Sequence, residues 1–129
     1  MLLTYNKNKF EILFFKTFLD LKMNTKEQTN LKKRLFDILS EAYESENIFL
    51  FGSYAYGKPN LSSDFDIAII VKKSDLPQYK RSRIGYSKLR GMSFPIELLV
   101  FTEDEVEKSK SVKTSLISTI LEKGSRLNG

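Results

Sequence analysis

Gly52, Ser53, Asp64 and Asp66 stand close together in the stretch FGSYAYGKPNLSSDFDIAIIV, residues 51–71, and ten residues separate the Gly-Ser pair from the Asp-x-Asp pair. A glycine directly after a strand permits a sharp turn and the close approach of a phosphate. Ser53 and the amides that follow it, if they open a short helix, offer donors to anionic oxygens. In an extended chain residues i and i+2 project to the same side, so Asp64 and Asp66 can share a magnesium ion while Phe65 faces the opposite layer. Magnesium takes oxygen ligands and keeps water and substrate phosphates in its shell, so carboxylates beside a phosphate cradle suit metal-assisted transfer of a phosphoryl group. In a two-metal arrangement a further carboxylate on the neighbouring strand holds the second ion or accepts the proton of the nucleophile. Glu97, inside the apolar run of residues 96–101, is the candidate.

Each fragment alone is weak. Gly-Ser is common in turns, and Ser-Ser-Asp-x-Asp can be a loop held by its own side chains. The joint order is more specific: an apolar run, Gly-Ser, a spacer, Asp-x-Asp, a second apolar run and an acidic residue on a third. A buried strand has no packing use for two carboxylates on one face.

The elements that must position these groups can be read from the pattern. Leu31, Leu35, Ile38, Leu39 and Ala42 recur at helical spacing, with Asn24 as cap and Glu27 three positions on, which predicts a helix over 24–44. Residues 48–51 and 67–71 are wholly apolar and read as buried strands, and 96–101 as a third with Pro95 at its entrance. Residues 78–90 are polar and basic and read as helical in part, with Gly85 weakening the pattern. Thr102 and Glu105 make a T-x-x-E capping box for a helix over 103–110, which gives Glu103, Asp104 and Glu105 a structural explanation. A last helix over 112–123 shows Leu116, Ile117, Ile120 and Leu121 on one side, with Gly124 where a helix-ending glycine belongs.

Composition narrows the chemistry further. The chain has 129 residues and no Cys or His, so thiolate nucleophiles, disulfides, the usual zinc sites and imidazole bases are excluded. Apolar residues make up 41%, including ten Phe and six Tyr, enough for one hydrophobic core. No segment reaches the roughly 20 apolar residues of a membrane span. The stretch 10–23 is interrupted by Glu11, Lys16, Asp20 and Lys22 and makes a poor signal peptide, so a cytoplasmic location is the expectation. A net charge of +5 permits a nucleic-acid partner without requiring one. Lys58, Lys80, Arg81 and Arg83 are read either as solvated cations or as neutralisers of phosphate, and Tyr54 and Tyr56 as packing residues rather than parts of the site.

At the Gly-Ser and Asp-x-Asp motifs the sequence resembles the minimal nucleotidyltransferase family of the DNA polymerase β-like superfamily. The resemblance covers about residues 28–127 and includes the closing Leu116–Leu127 segment. It implies an α/β (α+β) fold with a small mixed sheet flanked by helices, a magnesium and ATP site, and a partnership with a HEPN-domain toxin. Family members of that kind are antitoxins that transfer AMP to a tyrosine of the toxin. One departure stands out: the third carboxylate of the family is usually Asp, whereas Glu97 occupies the matching position here.

The expectation is therefore residues 1–23 as an extension, with a helix over Lys9–Lys22 or an alternative start at Met23, and residues 24–129 as the transferase domain. Gly52 and Ser53 would hold the phosphates of ATP. Asp64, Asp66 and Glu97 would hold magnesium, with Glu97 also able to activate the acceptor hydroxyl. A chain this short leaves docking to the acceptor, which favours a protein. The alternatives are a nucleotide-binding antitoxin that neutralises its partner by contact alone, and a transferase acting on RNA or a small molecule.

Overall fold

A computed structural model describes residues 25–56, 64–92 and 94–129. The expected extension 1–23, the Asn24 cap and Lys58 lie outside the described residues. Lys32–Gly129 make one compact unit, and residues 25–31 belong to the unit before it.

Helix α1, Thr25–Tyr43, buries Leu35 and Leu39 completely, as the apolar spacing predicts. It ends through Glu44, which takes φ 49° where glycine is usual, and the Ser45 N–H then donates to the Ser40 carbonyl. Strand β1, Ile48–Phe51, is buried throughout. A single turn, α2, Ser53–Tyr56, follows directly. Strand β2, Phe65–Val71, begins two residues earlier than its apolar run. Helix α3, Gln78–Lys88, is continuous through Gly85, and strand β3 spans Ile96–Thr102.

The capping box forms as expected at helix α4, Glu103–Ser109: the Thr102 hydroxyl accepts from the Glu105 N–H while the Glu105 side chain accepts from the Thr102 N–H. Helix α5 covers only Leu116–Lys123, because the Ser115 hydroxyl caps it by accepting from the Ser118 N–H. Gly124 does end this helix, but with φ −71° rather than in the left-handed region. Glycine is needed there for space: a Cβ would lie 2.5 Å from the Ile120 carbonyl oxygen and 3.0 Å from that of Leu50. That close approach lets a fourth strand, β4, Ser125–Arg126, pair with β1.

The sheet order is β3-β2-β1-β4, with β2 and β3 parallel and the other pairs antiparallel. The parallel pair requires a crossover, which α3 supplies. Register divides the side chains. Phe49, Phe51, Ala68, Ile70 and Phe101 share one face and pack with Ile120 and Ile117 of α5 and Val106 of α4. Ile48, Leu50, Ile67, Ile69, Leu98 and Val100 share the other. The fold is thus the mixed α/β arrangement the motif resemblance implies. Among the described residues no helix is long and apolar enough to cross a membrane.

Candidate active site

The candidate site lies where β1 ends and β2 and β3 begin. Gly52 follows β1 with φ 71°, the left-handed conformation that glycine adopts without strain. Phe51 is paired with Asp66, which brings the backbone of residue 52 beside the Asp66 side chain. A Cβ on Gly52 would overlap the Asp66 carboxylate oxygen Oδ2. Glycine here serves the carboxylate as well as the turn.

Asp66 is paired in turn with Glu97 across the parallel β2–β3 ladder, so both project from the same face. Their carboxyl groups are in hydrogen-bond contact. Loss of solvent raises the Asp66 pKa first; the Glu97 charge and hydrogen bond add to it, then the Asp64 charge, and the value is pushed up to about 6 from the usual 3.8. Glu97 is exposed to solvent on the edge strand and yet reaches Asp66, so it is more than a surface carboxylate.

Asp64 precedes β2 in irregular chain and acts on Asp66 by charge alone. Among the described residues no three acidic side chains gather closely enough to enclose a metal ion. The structure therefore brings Gly52, Asp66 and Glu97 together and leaves Asp64 at their margin. Two crowded carboxylates with solvent on one side suit a divalent cation that completes its shell with water and phosphate oxygens, which is how magnesium is commonly held. Ser53 opens α2 immediately after Gly52, and its hydroxyl lies outside the described atoms.

The surrounding residues are structural. Tyr54 packs against Phe65 and Phe94, with ring centroids 4.4 and 5.9 Å away, and Phe65 and Phe94 lie 4.5 Å apart. This agrees with Tyr54 as a packing residue; Phe94, which spacing alone gives no reason to notice, completes the cluster. It anchors the opposite face of β2 from Asp66, where Phe65 points as alternation requires. The Phe65 N–H donates to the Pro95 carbonyl at 2.9 Å and ties the two strand entrances together.

Arg81 is neither a solvated cation nor a phosphate ligand. Its guanidinium donates to Glu105 at 2.6 Å, to the Val100 carbonyl at 3.2 Å and to the Leu76 carbonyl at 2.9 Å. A helical arginine surrounded by polar residues gives no sign of burial; its partner lies on α4, beyond the reach of local pattern. The groove between the end of α1 and α3, lined by Tyr43, Val71, Leu76 and Ile84, lies at the other end of β2 and is not part of the candidate site.

Fold and site together define a mixed-sheet α/β domain with a glycine turn and paired carboxylates at the strand ends, the architecture of nucleotidyl transfer. The family model for the nucleotidyltransferase domain matches residues 32–127, and the chain belongs to that family. Its general activity is the transfer of a nucleotidyl group, for which domains of this family use nucleotide substrates and divalent metals. A crystal structure from Sulfolobus solfataricus, of a protein provisionally described as a nucleotidyltransferase, is 25% identical over 64% of this chain and 77% of that one, with a TM-score of 0.48. No curated protein matches significantly.

Proposed function

We propose that the chain transfers AMP from magnesium-bound ATP to a hydroxyl of a partner protein, tyrosine foremost, and thereby acts as antitoxin to a HEPN-domain toxin. The observation that carries the chemical part is the convergence of the Gly52 turn, Asp66 and Glu97 at one end of the sheet. The protein acceptor and the toxin partner rest on the resemblance at the Gly-Ser and Asp-x-Asp motifs.

In this reading Gly52 and Ser53 would admit the triphosphate, and Asp66 and Glu97 would hold magnesium, with Asp64 at their margin adding its charge. The bound metal would supply positive charge to the phosphate oxygens. The acceptor oxygen bonds to the α-phosphorus as the bond to the bridging oxygen breaks, and pyrophosphate leaves. The acceptor proton passes to a carboxylate, for which solvent-facing Glu97 is placed best. The contact of Glu97 with Asp66 also favours a second reading, in which the longer side chain closes on its neighbour and nucleotide is bound but not transferred.

The test is label transfer from α-phosphate-labelled ATP with magnesium into lysate proteins, with Asp66→Asn as the blank. A labelled protein band that is absent from the blank and abolished by Glu97→Gln without loss of ATP binding supports transfer. ATP binding with no labelled protein favours neutralisation by contact, and label appearing in RNA or a small molecule would move the acceptor to that class.

A further inference from the structure

The exposed side of α3 carries charge and aromatic surface that the fold leaves open to solvent. Its sequence, QYKRSRIGYSK, contains four cations and no carboxylate. The helix packs inward through Gly85 and Arg81, with Leu89 buried just beyond its end. Tyr79, Arg83 and Tyr86 recur at i, i+4 and i+7, which places them on one stripe, open to solvent at Tyr79 and Arg83 and reaching β3 through the Tyr86 hydroxyl. From first to last the stripe rises by about 10 Å. Tyr79 is 69% exposed and Tyr86 42%. The Tyr86 hydroxyl accepts the Leu98 N–H at 2.9 Å, so that ring is held at its tip as a fixed surface. Lys80 stands 5.8 Å from the centre of the Tyr79 ring, and Lys88 lies at the end of the helix.

Two features separate this face from an ordinary solvated one. The first is segregation of sign. Helix α4 mixes acidic and basic residues, and among the described residues the ion pairs are Arg81–Glu105, Asp104–Lys108 and Glu107–Lys110, so Lys80, Arg83 and Lys88 pair with none. Soluble surfaces intersperse charges unless a field serves a partner. The second is the pair of exposed rings between those cations. Charge complementarity calls for a polyanion, and rings call for one with flat groups to stack. An acidic peptide would satisfy the first requirement and leave the second unused.

We infer that the Tyr79–Arg83–Tyr86 stripe of α3, with Lys80 beside it, binds single-stranded nucleic acid through its phosphates and stacked bases. The inference does not rest on the transferase reading, because such binding needs neither ATP nor metal. The experiment is fluorescence anisotropy of a labelled single-stranded uridine oligomer with the full chain, in EDTA and without nucleotide. Affinity is expected to fall steeply as salt rises from about 50 to about 200 mM. Tyr79→Ala should weaken binding by at least about fivefold, the low end of what one stacked base contributes. Arg83→Gln should weaken it and lower the logarithmic salt slope by about one. Both side chains are exposed, so melting temperatures should not change. Lys113→Gln, the same charge change at an exposed site outside α3, should have no effect. Absence of binding at low salt, equal weakening by Lys113→Gln, or competition by polyglutamate as strong as by unlabelled oligomer would each overturn the inference, the last in favour of an acidic protein.

Discussion

The Gly52 Cα lies against the Asp66 carboxylate, so closely that no other residue fits at position 52 without displacing it. The contact follows from register, since Phe51 and Asp66 are partners and the turn after Phe51 folds back on that pair. Gly52→Ala therefore meets two costs. The left-handed φ costs a residue with a Cβ about 1–2 kcal/mol, and the carboxylate must move besides. We expect lower thermal stability and a fall of roughly 100-fold in nucleotidyl transfer, the scale of an ångström's misplacement. Combining it with Asp66→Ala should recover the part of the stability loss due to overlap and leave the part due to φ, which a double-mutant cycle measures.

Asp66 gives the stability a pH dependence of definite sign. Its folded pKa, about 6, lies above its ordinary value of 3.8. A carboxyl group of this kind favours the fold most when protonated, below the ordinary value, and that contribution is lost as pH rises through about 6. Asp66→Asn should be more stable than the parent at pH 7, by about 1 kcal/mol once solvent screening is allowed for, and the advantage should vanish below pH 4. Urea unfolding across that range measures it. Added magnesium should stabilise the parent more than the variant; equal effects would count against Asp66 as a ligand.

The three core strands are legible because each is a short apolar run, and Gly52, Asp66 and Glu97 are legible because the residues that follow or interrupt those runs have no packing use. Strand β4 is not, since Ser125 and Arg126 carry no apolar signal and are strands only because Gly124 lets the chain lie against Leu50. Alternation also treats Asp64 and Asp66 as equals, whereas the ladder starts at Phe65 and leaves Asp64 outside it. Arg81 fails for another reason. Its neighbours are polar and its burial is created by Glu105, Val100 and Leu76, contacts that no periodicity encodes.

Arg81→Ala should cost about 2 kcal/mol, below the figure for a fully buried pair because Glu105 retains some solvent. For Glu105, loss of solvent pushes the pKa up, but hydrogen bonds from the Thr102 backbone, Arg81 and the Thr102 hydroxyl outweigh it and hold the carboxyl below its ordinary 4.5. That stability is present above pH 4.5 and lost as pH falls through the folded value. Acid unfolding should therefore be less steep in Glu105→Gln than in the parent.

Gly85 tests whether packing or propensity governs α3. An alanine in a helix interior gains up to about 1 kcal/mol over glycine from propensity alone. Here a Cβ would come within 2.5 Å of Leu98 Cδ1 and 2.8 Å of the Tyr43 hydroxyl. That hydroxyl accepts the Gly85 N–H at 2.9 Å and donates to the Arg81 carbonyl at 2.7 Å, so it cannot retreat without giving up both bonds. Overpacking costs about 1–3 kcal/mol, and we expect Gly85→Ala to destabilise the protein in spite of its better helix propensity. Adding Tyr43→Phe removes the blocking oxygen but leaves Leu98 in place, so the double variant should recover part of the loss and remain less stable than Tyr43→Phe alone. Chemical denaturation of the four proteins decides it: a Gly85→Ala variant more stable than the parent would mean that α3 shifts on the sheet as a unit instead of being fixed by Tyr43 and Leu98.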